Sequence, residues 1–367
     1  MKKKIAVAMS GGVDSSFAAY LLLQEGYEVI GLNMNLPIVN SDGCFGSAQQ
    51  PSFLQKKPND DLQKVCEFLK IPFFVLDYTR EFSDIVIKYF CTEYENGRTP
   101  NPCIVCNKFV KFGLLLEKAK ELGADYLGTG HYANIEFDEQ RNLFFIKKAA
   151  DLKKDQSYFL SFLNQEQLKY IKFPIGNYKK QELRVIAENI GLPVHQKSDS
   201  QEICFVPENE YRECVQKLGC GRGFVYGDMV LADGTKVGRH NGIANFTVGQ
   251  RKGLGSHAQK MYVKDILADK NVVVIGKNEE LFSNRCIVEN MNWVDTDFLK
   301  LGEAKNVMAR IRYKSLEKPA VVKLIADNTN TVEVVFEEKQ RAITSGQAIV
   351  FYIGDRVIGG GWIKSCI

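Results

Sequence analysis

The chain has 367 residues, of which 45% are hydrophobic and 25% are charged, and its formal net charge is +4 at pH 7. This length suits two or three domains with separate cores, and the composition is that of a globular protein. No apolar run reaches the length of a membrane span, and the run behind Lys2–Lys4 is too short for a signal peptide. We therefore expect a cytoplasmic protein without a membrane partner.

The first two hundred residues alternate between strand-like and helix-like patterns. The predicted elements are a strand at Ile5–Met9, a helix to about Gln24, a strand at Tyr27–Met34, a polar loop at Asn35–Asn59, a helix at Asp60–Leu69, a strand at Phe73–Asp77, helices at Glu81–Asn96 and after Pro102, and a strand at Asp125–Gly128. This order predicts an α/β domain with a parallel sheet covered on both faces. Ligands of such sheets lie at the carboxyl ends of the strands.

The pattern changes after about Cys204, where helices become scarce and short β-type runs take over. These runs are Val272–Ile275, Ala320–Ile325, Thr331–Phe336 and Ala348–Ile353. We predict three domains: an α/β domain over residues 1–205, a small connecting domain over 206–275, and a β-barrel over 276–367.

The segment Ser10–Ser16, with sequence SGGVDSS, joins the first strand to the first helix. Its glycines allow close backbone approach, its serines add hydroxyl groups, and the helix N-terminus attracts negative charge. The segment lacks the lysine of a P-loop and the glycine spacing of a dinucleotide-binding turn. It predicts a phosphate-binding site rather than an ordinary tight turn.

The segment Arg98–Asn107 holds a C-x-x-C pair. Asn101 suits a helix N-cap and Pro102 the first helical position, so Cys103 and Cys106 should share one face of the first turns. A helix N-terminus lowers thiol pKa, which favours the nucleophilic thiolate. The alternatives are two structural thiols or half of a zinc site, although no second C-x-x-C exists in the sequence.

The remaining cysteines, of ten in all, are expected to be reduced thiols. Cys66 and Cys91 fall in predicted helices, where we expect them to occupy core or surface positions without a chemical role. Cys204 follows a polar segment without a clear pattern. Beside a C-x-x-C pair and a phosphate-binding loop, we interpret Cys204 as a partner thiol.

The segment Gly128–Ala133 matches G-x-G-x-x-A, but strand-like residues follow it, which argues against a dinucleotide turn. Its glycine at a strand end is better suited to an approaching adenine or ribose, and His131 becomes a candidate site residue. Three charged loops are either solvated surface or contacts for a phosphate-rich ligand such as RNA. They are Lys153–Tyr158, Gly249–Leu254 and Arg310–Lys314.

With these motifs together, the chain resembles the bacterial tRNA-specific 2-thiouridylases, the MnmA/TrmU family of the PP-loop ATP pyrophosphatase superfamily. The resemblance implies a PP-loop (adenine nucleotide α-hydrolase-like) domain, a small linker domain and a C-terminal β-barrel. It implies that ATP, with Mg²⁺, adenylates the C2 oxygen of the wobble uridine of tRNA. Sulfur from a cysteine persulfide then replaces that oxygen, and a cysteine desulfurase or relay protein supplies the sulfur.

The resemblance also implies roles for individual residues. Expected ATP contacts are Ala8, Met9, Ser10, Gly11, Gly12, Val13, Asp14, Ser15, Met34 and Gly130. Cys106 corresponds to the first catalytic cysteine and Cys204 to the persulfide carrier. Expected tRNA contacts are Asn101, Pro102, Cys103, His131, Lys154, Asp155, Gln156, Arg312, Tyr313 and Gln347. Many members have aspartate where this chain has Cys103, so here the acid–base group is open and a third thiol enters the site.

Three alternatives remain at this stage. Cys103, Cys106 and Cys204 could serve as ligands of an iron–sulfur cluster. We favour the other mechanism, in which sulfur moves as a persulfide between Cys204 and Cys106. Another PP-loop enzyme, such as an amidating synthetase or a lysidine-type tRNA ligase, would use an amine and need no paired thiols. A non-catalytic RNA-binding or sulfur-carrier protein would have no need of the complete SGGVDSS motif.

Overall fold

The computed structural model describes residues 2–37, 60–198, 203–206, 221–325 and 331–367. The predicted loop at Asn35–Asn59 lies largely outside these residues, as does most of the polar segment before Cys204. The helices are α1 (Val13–Gln24), α2 (Asp60–Leu69), α3 (Thr79–Phe82), α4 (Lys88–Glu95), α5 (Pro102–Val105), α6 (Leu115–Glu121), α7 (Ser157–Leu160), α8 (Gln165–Leu168) and α9 (Lys180–Asn189). In these ranges two segments are π-helical, Ser83–Ile87 and Cys106–Leu114, and four are 3₁₀-helical, Gly221–Phe224, Ile243–Asn245, Ala268–Lys270 and Asn278–Leu281.

Among the described residues, the strands form three sheets. They are β1 (Lys4–Ala8), β2 (Glu28–Asn35), β3 (Phe73–Asp77), β4 (Tyr126–Thr129), β5 (Asn134–Asp138), β6 (Leu143–Lys147), β7 (Ile171–Lys172), β8 (Gly227–Val230), β9 (Lys236–His240), β10 (Tyr262–Leu267), β11 (Val272–Gly276), β12 (Phe282–Trp293), β13 (Ala304–Arg310), β14 (Lys318–Leu324), β15 (Thr331–Arg341), β16 (Ala348–Ile353) and β17 (Arg356–Cys366). Within the described ranges, no helix is long and apolar enough to cross a membrane.

The first sheet is parallel, with strand order β3-β2-β1-β4-β7, which confirms the predicted α/β class. Its central strand β1 is buried on both faces: Ala6 belongs to one hydrophobic core, while Ile5 and Val7 belong to the core on the other side. Ala8 pairs with Leu32 of β2 and with Thr129 of β4. The carboxyl ends of these three strands therefore meet at one edge of the sheet.

Both long helices of the α/β region change character along their length. The helix predicted at Glu81–Asn96 consists of α3, a π-helical segment and α4. The helix predicted after Pro102 consists of α5, the π-helical segment Cys106–Leu114 and α6. Hydrogen bonds in a π-helix run between residues five apart, and such segments are frequent at functional sites. In this helix the widened turn brings Lys111 to the same side as Cys106.

The C-terminal strands form a closed antiparallel β-barrel, as predicted. Its strand order is β12-β15-β14-β13-β16-β17, and β17 pairs back to β12 to close it. The hairpin of β5 and β6, which precedes the barrel by more than a hundred residues in the chain, joins the barrel sheet through the pair Arg356 and Lys147. A separate four-stranded sheet, in the order β10-β11-β8-β9, lies between the two larger units in the chain.

Candidate active site

The loop after β1 is shaped by its own hydroxyl groups. The Ser15 hydroxyl accepts from the backbone N–H of Ser10 at 3.2 Å, and Ser15 and Ser16 donate to the Gly12 carbonyl at 3.2 and 2.8 Å. Gly12 is the N-cap of α1 and carries no side chain to cap the first turn. The helix therefore begins with backbone N–H groups directed at the loop, which is the arrangement that binds phosphate.

Two lysines from the far end of the α/β region hold this loop. Lys180, at the start of α9, places Nζ 2.7 Å from Oδ1 of Asp14, and the Tyr132 hydroxyl donates to the same oxygen at 2.9 Å. Lys197 donates to the Gly11 carbonyl at 3.1 Å and pairs with Asp61 at 2.7 Å. Sequence reasoning missed both lysines, because a lysine that follows the motif by more than 160 residues carries no local signal.

Gly130, an expected ATP contact, lies directly against the phosphate-binding loop. A Cβ atom added there would lie 2.6 Å from the backbone nitrogen of Ser15 and 2.7 Å from the carbonyl carbon of Asp14. Any side chain at this position would therefore push the end of β4 away from the start of α1. The glycine is needed for this close approach, not for a dinucleotide turn.

Met34, the remaining expected ATP contact, lies at the end of β2. Its side chain packs against the hydrophobic cluster that contains Val105, Cys106 and Phe205. The carboxyl edge of the sheet thus continues from the phosphate-binding loop into the surroundings of the cysteines.

The cysteine helix begins as the sequence predicts, with Asn101 as N-cap and Pro102 in the first turn, but the Asn101 side chain makes no capping hydrogen bond. Cys106 is buried and Cys103 half-buried. Burial raises the pKa of the Cys103 thiol to about 11 and that of the Cys106 thiol to about 12. The expected low thiol pKa is therefore wrong for this state of the protein: loss of hydration outweighs the helix terminus, and both thiols hold their protons at neutral pH.

Cys204 approaches this pair from a separate segment and is exposed. Its neighbour Phe205 is buried and packs edge-to-face on Phe82 and Phe90, with ring centroids 5.6 and 5.2 Å apart. Phe205 anchors Cys204 beside the start of the cysteine helix. Negative charge on Cys103 or on Cys204 would raise the pKa of the Cys106 thiol, so the three thiols are close enough to interact electrostatically.

Lys111 places a positive charge that acts on all three thiols. It lowers the pKa of Cys103, of Cys106 and of Cys204, although the loss of hydration around each sulfur raises the pKa by more. The π-helical turn from Cys106 accounts for this position. Sequence reasoning missed Lys111, since an ordinary α-helix would not stack residues five apart.

Two expected tRNA contacts make internal bonds here. His131 is buried, shares a 2.7 Å hydrogen bond with Thr129, and packs against the rings of Phe112 and Phe173. Burial and the charge of Lys111 hold the pKa of His131 well below its usual value, so the ring is neutral. Asp155 is buried and accepts from Ala149, Ser157 and Arg310. Neither residue offers a charged, accessible face to a phosphate.

Among the other expected tRNA contacts, Asn101 and Pro102 are buried, whereas Gln156, Arg312, Tyr313 and Gln347 are half-buried. Gln156 accepts from the backbone of Tyr132 at 2.9 Å. The Arg312 guanidinium donates to the carbonyls of Arg341 and Ala342, and burial lowers its pKa from the usual value. Tyr313 packs on Phe159 with ring centroids 4.4 Å apart, and Gln347 donates to two carbonyls just before the cysteine helix. Lys154 is half-exposed.

The arrangement of the cysteines does not make a metal site. Across the residues that the structure describes, no three or more His, Cys, Asp or Glu side chains are grouped so that they could hold a metal ion. Cys103, Cys106 and Cys204 are thus near enough to affect one another's charge but are not arranged as a ligand set. The residues present do not fit an iron–sulfur cluster in this conformation.

Three family models match the chain in succession. They are described as a tRNA methyl transferase HUP domain over residues 3–208, a tRNA methyl transferase PRC-barrel domain over 222–277, and an aminomethyltransferase beta-barrel domain over 283–363. Together with the parallel sheet and the phosphate-binding loop, the first match defines the class: an enzyme of the ATP-using PP-loop type.

Similarity to individual proteins identifies the family within this class. The chain is 46% identical to tRNA-specific 2-thiouridylase MnmA 1 of Caldanaerobacter subterraneus, over 99% of this chain and 98% of the relative. It is 45% identical to MnmA of Clostridium acetobutylicum, over 99% and 100%, and 44% identical to MnmA of Clostridioides difficile, over 100% and 99%. The chain belongs to the tRNA-specific 2-thiouridylase family. The solved structure of NMN synthetase from Francisella tularensis is only distantly similar. It is 14% identical, with a TM-score of 0.31, and the match covers 64% of this chain and 79% of the synthetase.

Proposed function

We propose that this protein is a tRNA sulfurtransferase that converts the wobble uridine of tRNA to 2-thiouridine at the expense of ATP. The main support for the proposal is that the phosphate-binding loop and the cysteines lie at the same edge of the parallel sheet. Gly130 lies directly against the phosphate-binding loop, and Met34, at the end of the neighbouring strand β2, packs on the cluster that holds Cys106. Full-length similarity to 2-thiouridylases supports the same assignment.

In the first step, ATP activates the uridine. An oxygen bound to C2 of a pyrimidine is a poor leaving group. Its attack on the α-phosphate of ATP expels pyrophosphate and leaves the oxygen adenylated, so that it can later depart from C2 as AMP. The loop Ser10–Ser16 would hold the phosphates through backbone N–H groups and hydroxyls. Asp14 is occupied by Lys180, so Mg²⁺ would arrive bound to the ATP phosphates, as this ion prefers, rather than in an all-protein site.

In the second step, sulfur replaces the activated oxygen. The terminal sulfur of a Cys204 persulfide attacks C2, the bond from C2 to the adenylated oxygen breaks, and AMP leaves with its electron pair. Cys106 then attacks Sγ of Cys204 and gives up its proton to the thiolated base; the old S–S bond breaks and its electron pair stays on the sulfur at C2. The products are 2-thiouridine and a Cys106–Cys204 disulfide, which a dithiol reductant returns to two thiols.

The raised thiol pKa values fit this order. A persulfide is a stronger acid than its parent thiol, so the sulfur delivered on Cys204 ionises more readily than the Cys106 thiol, whose pKa burial raises to about 12. Cys204 is exposed, which allows a cysteine desulfurase or relay protein to load it. Lys111 stabilises negative charge on each sulfur in turn.

We propose that tRNA is held by the domains at 1–205, 206–275 and 276–367 together. The target uridine must leave its loop to reach the sheet edge, which requires a grip on the stem. Lys154 and Tyr313 remain proposed RNA contacts. Asn101, Pro102 and Cys103 would meet the target base.

The test is mass spectrometry of nucleosides from tRNA of a strain that lacks this protein, followed by reconstitution with purified protein, ATP, tRNA and a persulfide donor. We expect 2-thiouridine derivatives alone to disappear from the strain and to reappear in the complete reaction but not without ATP. An amidating or lysidine-forming enzyme would instead leave 2-thiouridine intact. A sulfur carrier without catalysis would show no tRNA-dependent exchange of pyrophosphate into ATP.

A further inference from the structure

We propose that Gln347 is a positioning residue of the cysteine centre, and that through it the C-terminal barrel sets where the cysteine helix begins. The proposal deepens the proposed function and rests on it for the meaning of the catalytic readout. Gln347 lies in the turn Ser345–Gln347, which leads into β16. Its side chain reaches Thr99 and Pro100, just before the N-cap of the cysteine helix.

The contact consists of direct hydrogen bonds to backbone. Gln347 Nε2 lies 3.0 Å from the carbonyl oxygen of Thr99 and 3.0 Å from that of Pro100. In return, the backbone N–H of Thr99 donates to the Ser345 carbonyl at 2.9 Å. A segment of backbone thus docks on a turn from another domain through three bonds, and both hydrogens of one amide group are used.

The turn is built for close approach. Gly346 has φ of +85°, and a Cβ atom added there would lie 2.8 Å from Cβ of Arg98 and 2.9 Å from the backbone nitrogen of Thr99. The turn is itself fixed to β17, because the Gly346 N–H donates to Ile363 and the Ile363 N–H donates to Gln347, each at 2.9 Å. The barrel therefore presents a rigid edge to residues 98–100.

Neighbouring contacts fix the same short segment from other sides. The N–H of Asn101 donates to the Tyr89 hydroxyl at 3.3 Å, and the Tyr89 ring packs on Trp362 of β17 at 5.8 Å. A Cβ atom added to Gly97 would lie 2.7 Å from the side chain of Ile266 on β10. Residues 97–101, shortly before Cys103, are thus the place where contacts from all three domains meet.

A tRNA-contacting role for Gln347 would leave its amide exposed and directed at RNA. In the structure, the amide instead donates its hydrogen bonds to the protein's own backbone. Because a shift of about 1 Å at a reacting group costs roughly a hundredfold in rate, holding the helix start matters for sulfur transfer. The two roles make different predictions for the same variant.

The test uses Gln347→Met in the full-length protein, which keeps the length of the side chain and removes both donors. Gln340→Met is the matched control, since Gln340 lies on β15 of the same barrel and donates within that strand, to Glu338 at 2.7 Å. Gly346→Ala, which separates the same surfaces by steric contact, is a second variant. Iodoacetamide labelling of Cys103 and Cys106, resolved by mass spectrometry, is measured without tRNA or ATP.

For Gln347→Met and Gly346→Ala, we expect labelling of Cys103 and Cys106 to accelerate at least threefold. We also expect kcat for thiolation to fall about tenfold or more, with the Kd for tRNA within twofold of wild type and Gln340→Met unchanged. Unchanged labelling, or a tenfold weaker Kd with normal kcat, would overturn the proposal in favour of an RNA contact. If the wild type made no 2-thiouridine, the proposed function would fail, yet labelling would still decide the positioning role.

Discussion

Lys180 Nζ lies 2.7 Å from Oδ1 of Asp14, so a helix 166 residues further along the chain completes the phosphate-binding loop. The lysine is almost fully buried by this contact, whereas the carboxylate is about one-third exposed. Such a pair orients Asp14 and prevents it from competing with phosphate for the N–H groups of α1. The charge balance of the loop is therefore set by tertiary structure.

Lys180→Met should impair the adenylation step. Removing one partner of a buried pair leaves the other uncompensated, with a typical cost of about 3–5 kcal/mol when both are buried and less for the partly exposed Asp14. We expect ATP-dependent formation of AMP to fall at least tenfold, with tRNA affinity unchanged. Lys179→Met, one residue earlier and outside the pair, is the control. AMP formation at the wild-type rate in Lys180→Met would show that the pair is only structural.

The reactivity of Cys106 should rise steeply with pH. Its pKa is raised to about 12 by burial, so the thiolate fraction grows about tenfold for each pH unit between pH 7 and 9. Iodoacetamide labelling should follow this slope, and the exposed Cys366 should label much faster at pH 7.5. A pH-independent or fast reaction of Cys106 at pH 7 would contradict the buried, protonated thiol.

The sequence predicted what local pattern can encode. Alternating strands and helices indicated the α/β class, the glycine-rich turn indicated the phosphate-binding loop, and Asn101 and Pro102 marked the start of the cysteine helix. It did not predict the high thiol pKa of Cys106, because burial there depends on Phe205 and other distant side chains. Nor did it predict the contacts of Gln347, because the barrel edge and residues 97–101 are joined only by tertiary folding.

Cys204→Ser and Cys106→Ser should separate the two chemical steps. A serine hydroxyl cannot carry a sulfane sulfur or cut a persulfide, and both cysteines act after the uridine has been activated. We expect tRNA-dependent AMP formation to persist while 2-thiouridine falls below detection. Cys91→Ser is the control, since Cys91 lies on α4 and is not among the coupled thiols. Normal thiolation in either mutant would make that cysteine structural.

The affinity for tRNA should fall as salt rises, and Lys154→Ala should flatten that dependence. Removing one phosphate contact reduces the slope by roughly one unit at most. Arg312→Ala should behave differently: its guanidinium holds the carbonyls of Arg341 and Ala342, so we expect a lower Tm of the barrel as well as any weakening of binding. Binding that does not depend on salt would argue against an RNA substrate.

The role of Cys103 distinguishes a persulfide relay from an iron–sulfur cluster. It is half-buried, its pKa is raised to about 11, and with Cys106 and Cys204 it forms no metal-ligating group within the described part of the chain. A thiol that keeps its proton at neutral pH can donate that proton to a departing group, as the aspartate of related chains is expected to do. We therefore expect Cys103→Asp to retain substantial activity and Cys103→Ala to slow turnover without abolishing it.

The same assignment predicts the colour and metal content of the protein. Protein purified without air should be colourless and contain no stoichiometric iron, and its activity should depend on a persulfide donor. Iron analysis and the visible absorption spectrum of wild type and Cys103→Ala check this directly, with Cys66→Ser as a control in a buried thiol outside the site. A brown wild-type sample whose iron is lost in Cys103→Ala would replace the relay with a cluster held by the three cysteines, and would require a change in their arrangement from the one described.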